Sequence, residues 1–223
     1  MADAAKIIEL RQLLKERFPA AHSPRPPDAE NYPTGIPSLD EAGIPKGHLT
    51  ELVSGVRSGG SALLLRGLIE QQTAQGQLPA LIDGRNSFDP QDLSPAACRR
   101  LLWIRCHNAR ESLQAADILL RDGNLPLVVL DLQFNPRHEF RRIPAPTWHR
   151  LQSLVARTRA TCLIMTPIRL VSSARLRLTL NSLLQVESLE RPETGLRNGL
   201  QLEITRRRGG VIEEPAALRE LAG

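Results

Sequence analysis

The chain has few aromatic residues, few cysteines and few lysines. Aromatic residues make up 3% of its 223 positions, so the core must consist mainly of Leu, Ile, Val and Ala. The three cysteines, Cys98, Cys106 and Cys162, are odd in number and show no Cys-x-x-Cys spacing. This argues against a disulfide framework and against a zinc site. The cysteines are more typical of buried thiols in a reducing compartment.

Long hydrophobic runs are also missing. No stretch reaches the ~18 apolar residues that a transmembrane helix needs, and the N-terminus has no apolar signal core. The sequence therefore predicts a cytoplasmic protein without a membrane span. The formal net charge of +5 comes almost entirely from arginine. This charge is compatible with contact to DNA or to an acidic protein, and equally with arginines that only keep the surface soluble.

The chain divides into four parts. Residues 1–18 predict an amphipathic helix, and 19–33 contain five prolines and predict an extended linker. Residues 34–210 form the core, and 211–223 form a C-terminal tail. The helix either folds back on the core or docks on a partner through its apolar side chains, Ile7, Leu10, Leu14 and Phe18.

Within the core, apolar strand-like runs alternate with helical patterns. Helices are predicted at 61–76, 90–101, 108–123 and 147–160. Strands are predicted at 48–55, 78–83, 101–106, 125–132, 161–166, 182–190 and 199–208. Such alternation is typical of βαβ units and a parallel sheet. The last two strands predict an antiparallel hairpin, so we expect an α/β fold with a mixed, mostly parallel sheet flanked by helices.

The segment GVRSGGSA (55–62) has the glycine frame of a phosphate-binding P-loop, between a strand and a helix. Its last two positions depart from the motif. Ser61 replaces the lysine that reaches the outer phosphates, and Ala62 replaces the hydroxyl that binds Mg²⁺. Backbone donors at Gly55, Gly59 and Gly60 could still hold a nucleotide weakly, or these glycines only make the turn. Asp131 ends a later apolar strand, where a Walker B aspartate stands.

Three segments resemble the RecA-like recombinases. PTGIPSLDEAGIPKGHLTELVSG (33–55) is similar to the RecA segment that leads into the P-loop, LIDGRNSFDP (81–90) resembles "FIDAEHALDP", and CLIMTPIR (162–169) resembles the strand ending "INQIR". The resemblance covers about 33–210 and implies a RecA-like P-loop core. The catalytic glutamate of that family falls on Arg85, and its phosphate-sensing glutamine falls on Pro167. Together with the departures at the P-loop, this implies a chain that is no enzyme and that uses no cofactor or metal.

A RecA-like core with a degenerate P-loop resembles two bacterial families. ImuA, an accessory of SOS-induced translesion DNA synthesis, is the closer match, because residues 7–18 and 33–52 look like its leucine-rich helix and first motif. This implies a non-catalytic adaptor that bridges ImuB, the associated polymerase and RecA. The alternatives are an inhibitor of cell division like SulA, which binds FtsZ, and a residual ATPase.

The resemblance to RecA also suggests two loops for weak, sequence-independent contact with DNA. They correspond to 133–146 and 169–179, and a third basic cluster ends the last predicted strand. The same arginines could instead form a protein interface, in which arginine is enriched. The oligomeric state stays open. The candidate contact residues are Arg137, Arg141, Arg142, Arg169, Arg175, Arg177, Arg206, Arg207 and Arg208.

Overall fold

The computed structural model describes residues 30–56, 59–184 and 192–208. The predicted N-terminal helix with Ile7, Leu10, Leu14 and Phe18, most of the linker and the tail at 211–223 lie outside this part. The helices are Pro37–Ala42 (α1), Ser61–Ala74 (α2), Pro95–Arg100 (α3), Ala109–Asp122 (α4), Arg137–Phe140 (α5), Ala145–Thr158 (α6) and Glu193–Asn198 (α7). The strands are Leu49–Val53 (β1), Ala80–Asp83 (β2), Leu102–Arg105 (β3), Leu127–Asp131 (β4), Thr161–Thr166 (β5), Leu176–Leu180 (β6) and Leu202–Arg207 (β7).

These strands form one sheet in the order β3-β2-β4-β5-β1-β6-β7. Every neighbouring pair is parallel except β6 and β7, which are antiparallel with a bulge between Arg177 and Leu178. The predicted α/β fold with a mixed, mostly parallel sheet is thus confirmed. Because β1, β2, β4 and β5 lie inside the sheet, their residues are buried on both faces.

Two hydrophobic layers cover the sheet. On one face, α4 and α6 pack over the central strands through Leu120, Leu151 and Val155, and they bury Ile164 of β5. On the other face, α1, α2 and α3 bury a second cluster. This cluster includes the strand residues that point to that face, such as Leu163 of β5. Within the described ranges, no helix combines the length and the hydrophobicity that crossing a membrane requires.

The prediction that the last strand pairs with a strand at 182–190 is wrong. The partner of β7 is β6, which occupies 176–180, whereas residues 181–184 form no strand and 185–191 lie outside the description. The true strand alternates buried Leu176, Leu178 and Leu180 with half-buried polar residues. This period of two indicates a strand that is buried on one face, but the sequence interpretation assigned the stretch to a DNA-binding loop.

Smaller corrections concern the ends of segments. Residues 30–33 pack on the core although they were assigned to the linker: Tyr32 is buried, and its N–H donates to the carbonyl of Ile44 at 2.7 Å. All three cysteines are free, as expected, and Cys106 and Cys162 are buried. Cys98 is exposed instead, because it lies on the outer side of the short helix α3.

The first motif segment, TGIPSLD, forms a turn held by one carboxylate. Asp40 accepts hydrogen bonds from the N–H of Thr34 at 2.7 Å and from the N–H of Gly35 at 3.0 Å. Gly35 has a φ of +74°, which glycine adopts without strain. The threonine, glycine and aspartate of this motif therefore build the turn that leads into α1.

Glu51 lies fully buried in β1 and holds the neighbouring chain segments together. Its carboxylate accepts hydrogen bonds from the N–H groups of Leu170 at 2.6 Å and Val171 at 2.9 Å. Its other oxygen forms an ion pair with Arg177, which also donates to the carbonyl of Val171 at 3.0 Å. The pair therefore fixes β6 and the segment 167–171 to the centre of the sheet.

Arg177→Met should lower the free energy of unfolding by roughly 3–5 kcal/mol, because it leaves the buried Glu51 charge without its cation. Urea denaturation measures this loss. Arg169→Met is the matched control, since Arg169 lies in the segment that Glu51 holds but its side chain is exposed and forms no ion pair with another described residue. Equal stability of the two variants would contradict the role given to the buried pair.

Candidate functional site

The glycine turn between β1 and α2 is the candidate nucleotide site. Gly60 is the N-cap residue just before α2 and has a φ of +83°, and Gly59 donates its N–H to the carbonyl of Val56 at 3.2 Å. Gly59, Gly60 and Ser61 are buried, whereas Gly55 is exposed. Arg57 and Ser58 of the same turn lie outside the described residues.

The chain itself covers this turn. We call residues 181–184 and 192–201, which include α7, the covering segment. A Cβ on Gly60 would lie 2.5 Å from Cδ2 of Leu200 and 3.4 Å from Cδ1 of Leu184. A Cβ on Gly59 would lie 3.6 Å from the carbonyl oxygen of Ser182. The glycines thus allow apolar side chains of the covering segment to approach the backbone closely.

The covering segment is anchored on α2 at two further points. Arg197 of α7 crosses over Gly67, where a Cβ would lie 2.3 Å from its Cδ. Glu193 forms an ion pair with Arg66 at 3.0 Å. Close packing against Gly67 and the ion pair both hold α7 along α2. Sequence reasoning did not find this cover, because Leu200 lies 140 positions beyond Gly60 and belongs to no recognisable motif.

The described residues of the turn do not fit a Mg²⁺-nucleotide. Ser61 offers no cation for the outer phosphates, and the methyl group of Ala62 offers no metal ligand. Leu184 and Leu200 place apolar atoms beside Gly60, and such atoms offer no hydrogen-bond donor to a phosphate oxygen. In the described part of the chain, no group of three or more His, Cys, Asp or Glu side chains is arranged to hold a metal ion.

Asp131 lies at the end of β4, as predicted, and is buried. Its Oδ1 accepts a hydrogen bond from the N–H of Gln133 at 3.0 Å. Burial raises the pKa of Asp131 to about 6; the Gln133 N–H lowers it, and the nearby charge of Asp83 raises it further. No ion pair to Asp131 occurs among the described residues. Its charged form is therefore stabilised by little besides one N–H donor.

Asp83 pairs with Asp131 across β2 and β4 but has a different role. Its carboxylate accepts hydrogen bonds from the N–H groups of Ser87 at 3.0 Å and Phe88 at 2.9 Å. Gly84, which follows it, has no room for a Cβ: the atom would lie 2.3 Å from Oδ1 of Asn135. The segment LIDGRNSFDP thus resembles RecA at positions that shape a loop.

The two remaining motif positions also have structural surroundings. Arg85 donates to the carbonyl of His107 at 2.8 Å and lies 3.9 Å from a carboxylate oxygen of Glu139. It therefore joins the loop after β2 to the start of α4 and to α5. The carbonyl oxygen of Pro167 would lie 3.7 Å from a Cβ on Gly55, so this proline borders the glycine turn.

The arginines predicted to contact DNA or a partner fall into two separate groups. Arg137, Arg141 and Arg142 are exposed on α5 and on the turn after it. The others lie at or near the β6–β7 hairpin, and several are engaged: Arg175 contacts Nε2 of His48 at 2.7 Å, and Arg177 pairs with Glu51. Arg206 lies opposite Arg177, Arg207 donates to the carbonyl of Ala42, and Arg169 and Arg208 are exposed.

The predicted second loop is therefore not a free loop. Val171, Ser173 and Ala174 are buried, and the hydroxyl of Ser173 donates to the carbonyl of Trp148 at 2.8 Å. From Leu176 onward the segment is β6. The prediction that Arg177 contacts DNA is therefore wrong, since its guanidinium forms an ion pair with the buried Glu51. Of the two predicted loops, only the first presents a group of exposed arginines.

Comparison with known proteins agrees with the fold. Protein RecA of Streptomyces coelicolor is 32% identical over 108 residues, which cover 46% of this chain and 29% of that protein. Part of this chain is related to RecA. Protein RecA of Francisella philomiragia is 32% identical over 110 residues, and that of Kineococcus radiotolerans is 33% identical over 113 residues. The match spans 47% and 48% of this chain and 30% and 32% of those relatives, respectively. No protein-family model matches the chain.

Asp131→Asn should raise the free energy of unfolding near neutral pH by up to ~3 kcal/mol, since one pKa unit corresponds to about 1.4 kcal/mol. The folded state keeps a proton up to about pH 6, whereas the unfolded chain loses it near the ordinary value of 3.8. Stability of the natural chain should therefore fall as pH rises from about 4 to 6, and the variant should lack this fall.

Urea denaturation between pH 4 and 8 measures the effect. Asp83→Asn is the matched control: it should destabilise the fold at neutral pH, because both of its oxygens accept backbone hydrogen bonds. A destabilised Asp131→Asn variant, or a natural chain that Mg²⁺ stabilises through Asp131, would show that this carboxylate is compensated in a way the described contacts lack.

Proposed function

We propose that this chain is a non-catalytic, RecA-like adaptor that acts by binding other proteins in SOS-induced, error-prone translesion DNA synthesis, in the manner of ImuA. The observation that carries the proposal is the covered glycine turn. Leu184 and Leu200 lie over Gly60, and Ser61 and Ala62 stand where a lysine and a hydroxyl are needed. Because other residues of the same chain cover this turn, the structure favours a protein that acts by binding other molecules and not by phosphoryl transfer.

The motif segments favour a RecA-like core but carry no chemistry of their own. The carboxylates of Asp40 and Asp83 accept hydrogen bonds from backbone N–H groups of adjacent loops. These positions would preserve the RecA-like scaffold in a chain that no longer hydrolyses ATP. The partners implied by the resemblance to ImuA are ImuB, the polymerase that works with it, and RecA. The first arginine group, at α5, is the surface we assign to weak contact with DNA or with one of these partners.

Affinity purification of the full chain from cells that express its native operon tests the function. We expect an ImuB-like protein to co-purify, and FtsZ to be absent. An FtsZ complex without ImuB would favour an inhibitor of cell division instead. The purified chain should release no phosphate from ATP. Phosphate release that disappears in Asp131→Ala would overturn the non-catalytic part of the proposal.

The assignment of α5 to DNA predicts a charge-dependent loss of affinity. Replacing Arg137, Arg141 and Arg142 together by Gln should weaken binding to single-stranded DNA of any sequence. It should also reduce the slope of log affinity against log salt by about 2, because each phosphate contact on a single strand contributes about 0.7. Fluorescence anisotropy over a salt series measures both quantities.

Arg99→Gln serves as the control, since Arg99 is exposed on α3, away from α5. It should leave affinity and slope close to those of the natural chain. If the triple variant behaves like this control, α5 does not contact DNA, and its arginines are then assigned to a protein partner.

A further inference from the structure

A groove of about 1210 Å³ lies between α4 and α6, and α5 lies at one end of it. We call it the α4–α6 groove. The two helices run in the same direction, because α4 connects β3 to β4 and α6 connects β4 to β5 in a parallel part of the sheet. Both pack on the opposite side of the sheet from α2. The groove is therefore separate from the covered glycine turn.

Apolar side chains line the floor and the far end of the groove. Leu113 of α4 and Leu151 of α6 line it and are almost fully buried. Ile118 lies two helical turns beyond Arg110, at the end away from α5, and is 66% exposed. A partner that covers this isoleucine would gain free energy by removing its apolar surface from water.

The α5 end of the groove is positively charged. Arg110, near the start of α4, and Arg142, in the turn after α5, line the groove and are exposed. Neither forms an ion pair with another described residue. Because α4 and α6 both begin at this end, the positive ends of their dipoles add to the same potential.

Two carboxylates also line the groove, but donors of the chain itself engage both of them. Asp117 forms ion pairs with Arg150 and with Arg121, each at 2.6 Å. Glu139 accepts a hydrogen bond from the N–H of Ala109 at 2.7 Å. The two arginines at the α5 end are therefore the charges of the groove that the described structure leaves unbalanced.

We propose that the α4–α6 groove binds an acidic amphipathic helix of a partner protein. Two carboxylates of that helix meet Arg110 and Arg142, and a large apolar side chain on the same face covers Ile118. Residues 110 and 118 are about 12 Å apart along α4, at about 1.5 Å per residue. The carboxylates and the apolar anchor of the partner are therefore seven or eight positions apart.

This occupant matches both ends of the groove. A helix that lies in a groove inserts apolar side chains at spacings of three, four and seven positions, which also places one of them over Leu113 and Leu151. A nucleic acid matches only the α5 end. Its phosphates would neutralise the arginines, but its backbone carries no apolar side chain to cover Ile118.

The inference goes beyond the proposed function, because it states the chemistry of the bound segment, whichever protein carries it. It also has a consequence for contact with DNA. Arg142 belongs to the arginine group at α5 that is assigned to weak contact with DNA or with a partner. A bound acidic helix and a DNA strand would therefore compete for this residue.

Selection from a library of random peptides of about 16 residues, displayed on phage with the full chain as target, tests the proposal. We expect the enriched peptides to share two carboxylates and, seven or eight positions away, a large apolar residue. A fluorescein-labelled copy of the most enriched peptide then gives a dissociation constant by fluorescence anisotropy. An unlabelled copy should gain helical circular dichroism when it binds.

The apolar anchor is tested by Ile118→Ser, which should weaken binding of this peptide about tenfold or more, because a few buried anchors contribute most of the affinity of an interface. Leu78→Ser is the matched control, since Leu78 is 47% exposed and lies outside the groove. It should leave the dissociation constant close to that of the natural chain.

The charged end is tested by charge reversal. Replacing Arg110 and Arg142 by Glu should abolish binding of the peptide. A second peptide, in which the two carboxylates are replaced by arginine, should bind this variant. Arg99→Glu combined with Arg208→Glu is the control with the same change of net charge, since both residues are exposed and lie outside the groove.

Several results would overturn the proposal: no enriched peptide, enriched peptides without this pattern, or binding that ignores the substitutions. Affinity that depends on the arginines but not on Ile118 would assign a site for polyanions instead. Self-association that is lost in Ile118→Ser, measured by analytical ultracentrifugation, would assign the groove to a second copy of the chain. None of these results changes the outcome of the co-purification, on which the proposed function depends.

Discussion

The buried ion pair between Glu51 and Arg177 is the contact on which the β1 side of the sheet depends. Glu51 is fully buried in a central strand, so its charge must be met inside the protein. Leu170 and Val171 of the segment between β5 and β6, together with Arg177 of β6 itself, supply the donors. The need to satisfy one carboxylate therefore turns a stretch that could have been a mobile loop into a packed connection. It also sets the start of β6, which carries β7 and the covering segment.

The mixed, mostly parallel sheet was predicted from the sequence because its central strands have an unambiguous pattern. Thr161–Thr166 has an apolar centre between two threonines and follows a helix, and its limits were predicted to the residue. β6 was missed because its alternating leucines were read together with the neighbouring arginines as a basic loop. Only the buried position of Glu51 explains why Arg177 turns inward, and a single sequence does not show which strand will lie beside β1.

The candidate site was predicted in part. Ser61, Ala62 and Asp131 stand where the motif places them, since local chain geometry fixes a turn between a strand and a helix. The cover over Gly60 depends on Leu184 and Leu200, which reach it only after β6 and β7 are placed. Packing between distant segments leaves no local period in the sequence. The same limit applies to the α4–α6 groove, whose shape depends on three helices and their separation.

The bulge in the β6–β7 ribbon has a consequence for assembly. β7 is the outermost strand on its side, and its exposed positions include the charged Glu203. An irregular edge with charged side chains resists the addition of another strand. Copies of this chain, or its partners, are therefore steered away from sheet-to-sheet extension. At the β7 edge, contacts through helices and loops are therefore favoured over pairing with another strand, and such contacts can be made and released without remodelling the sheet.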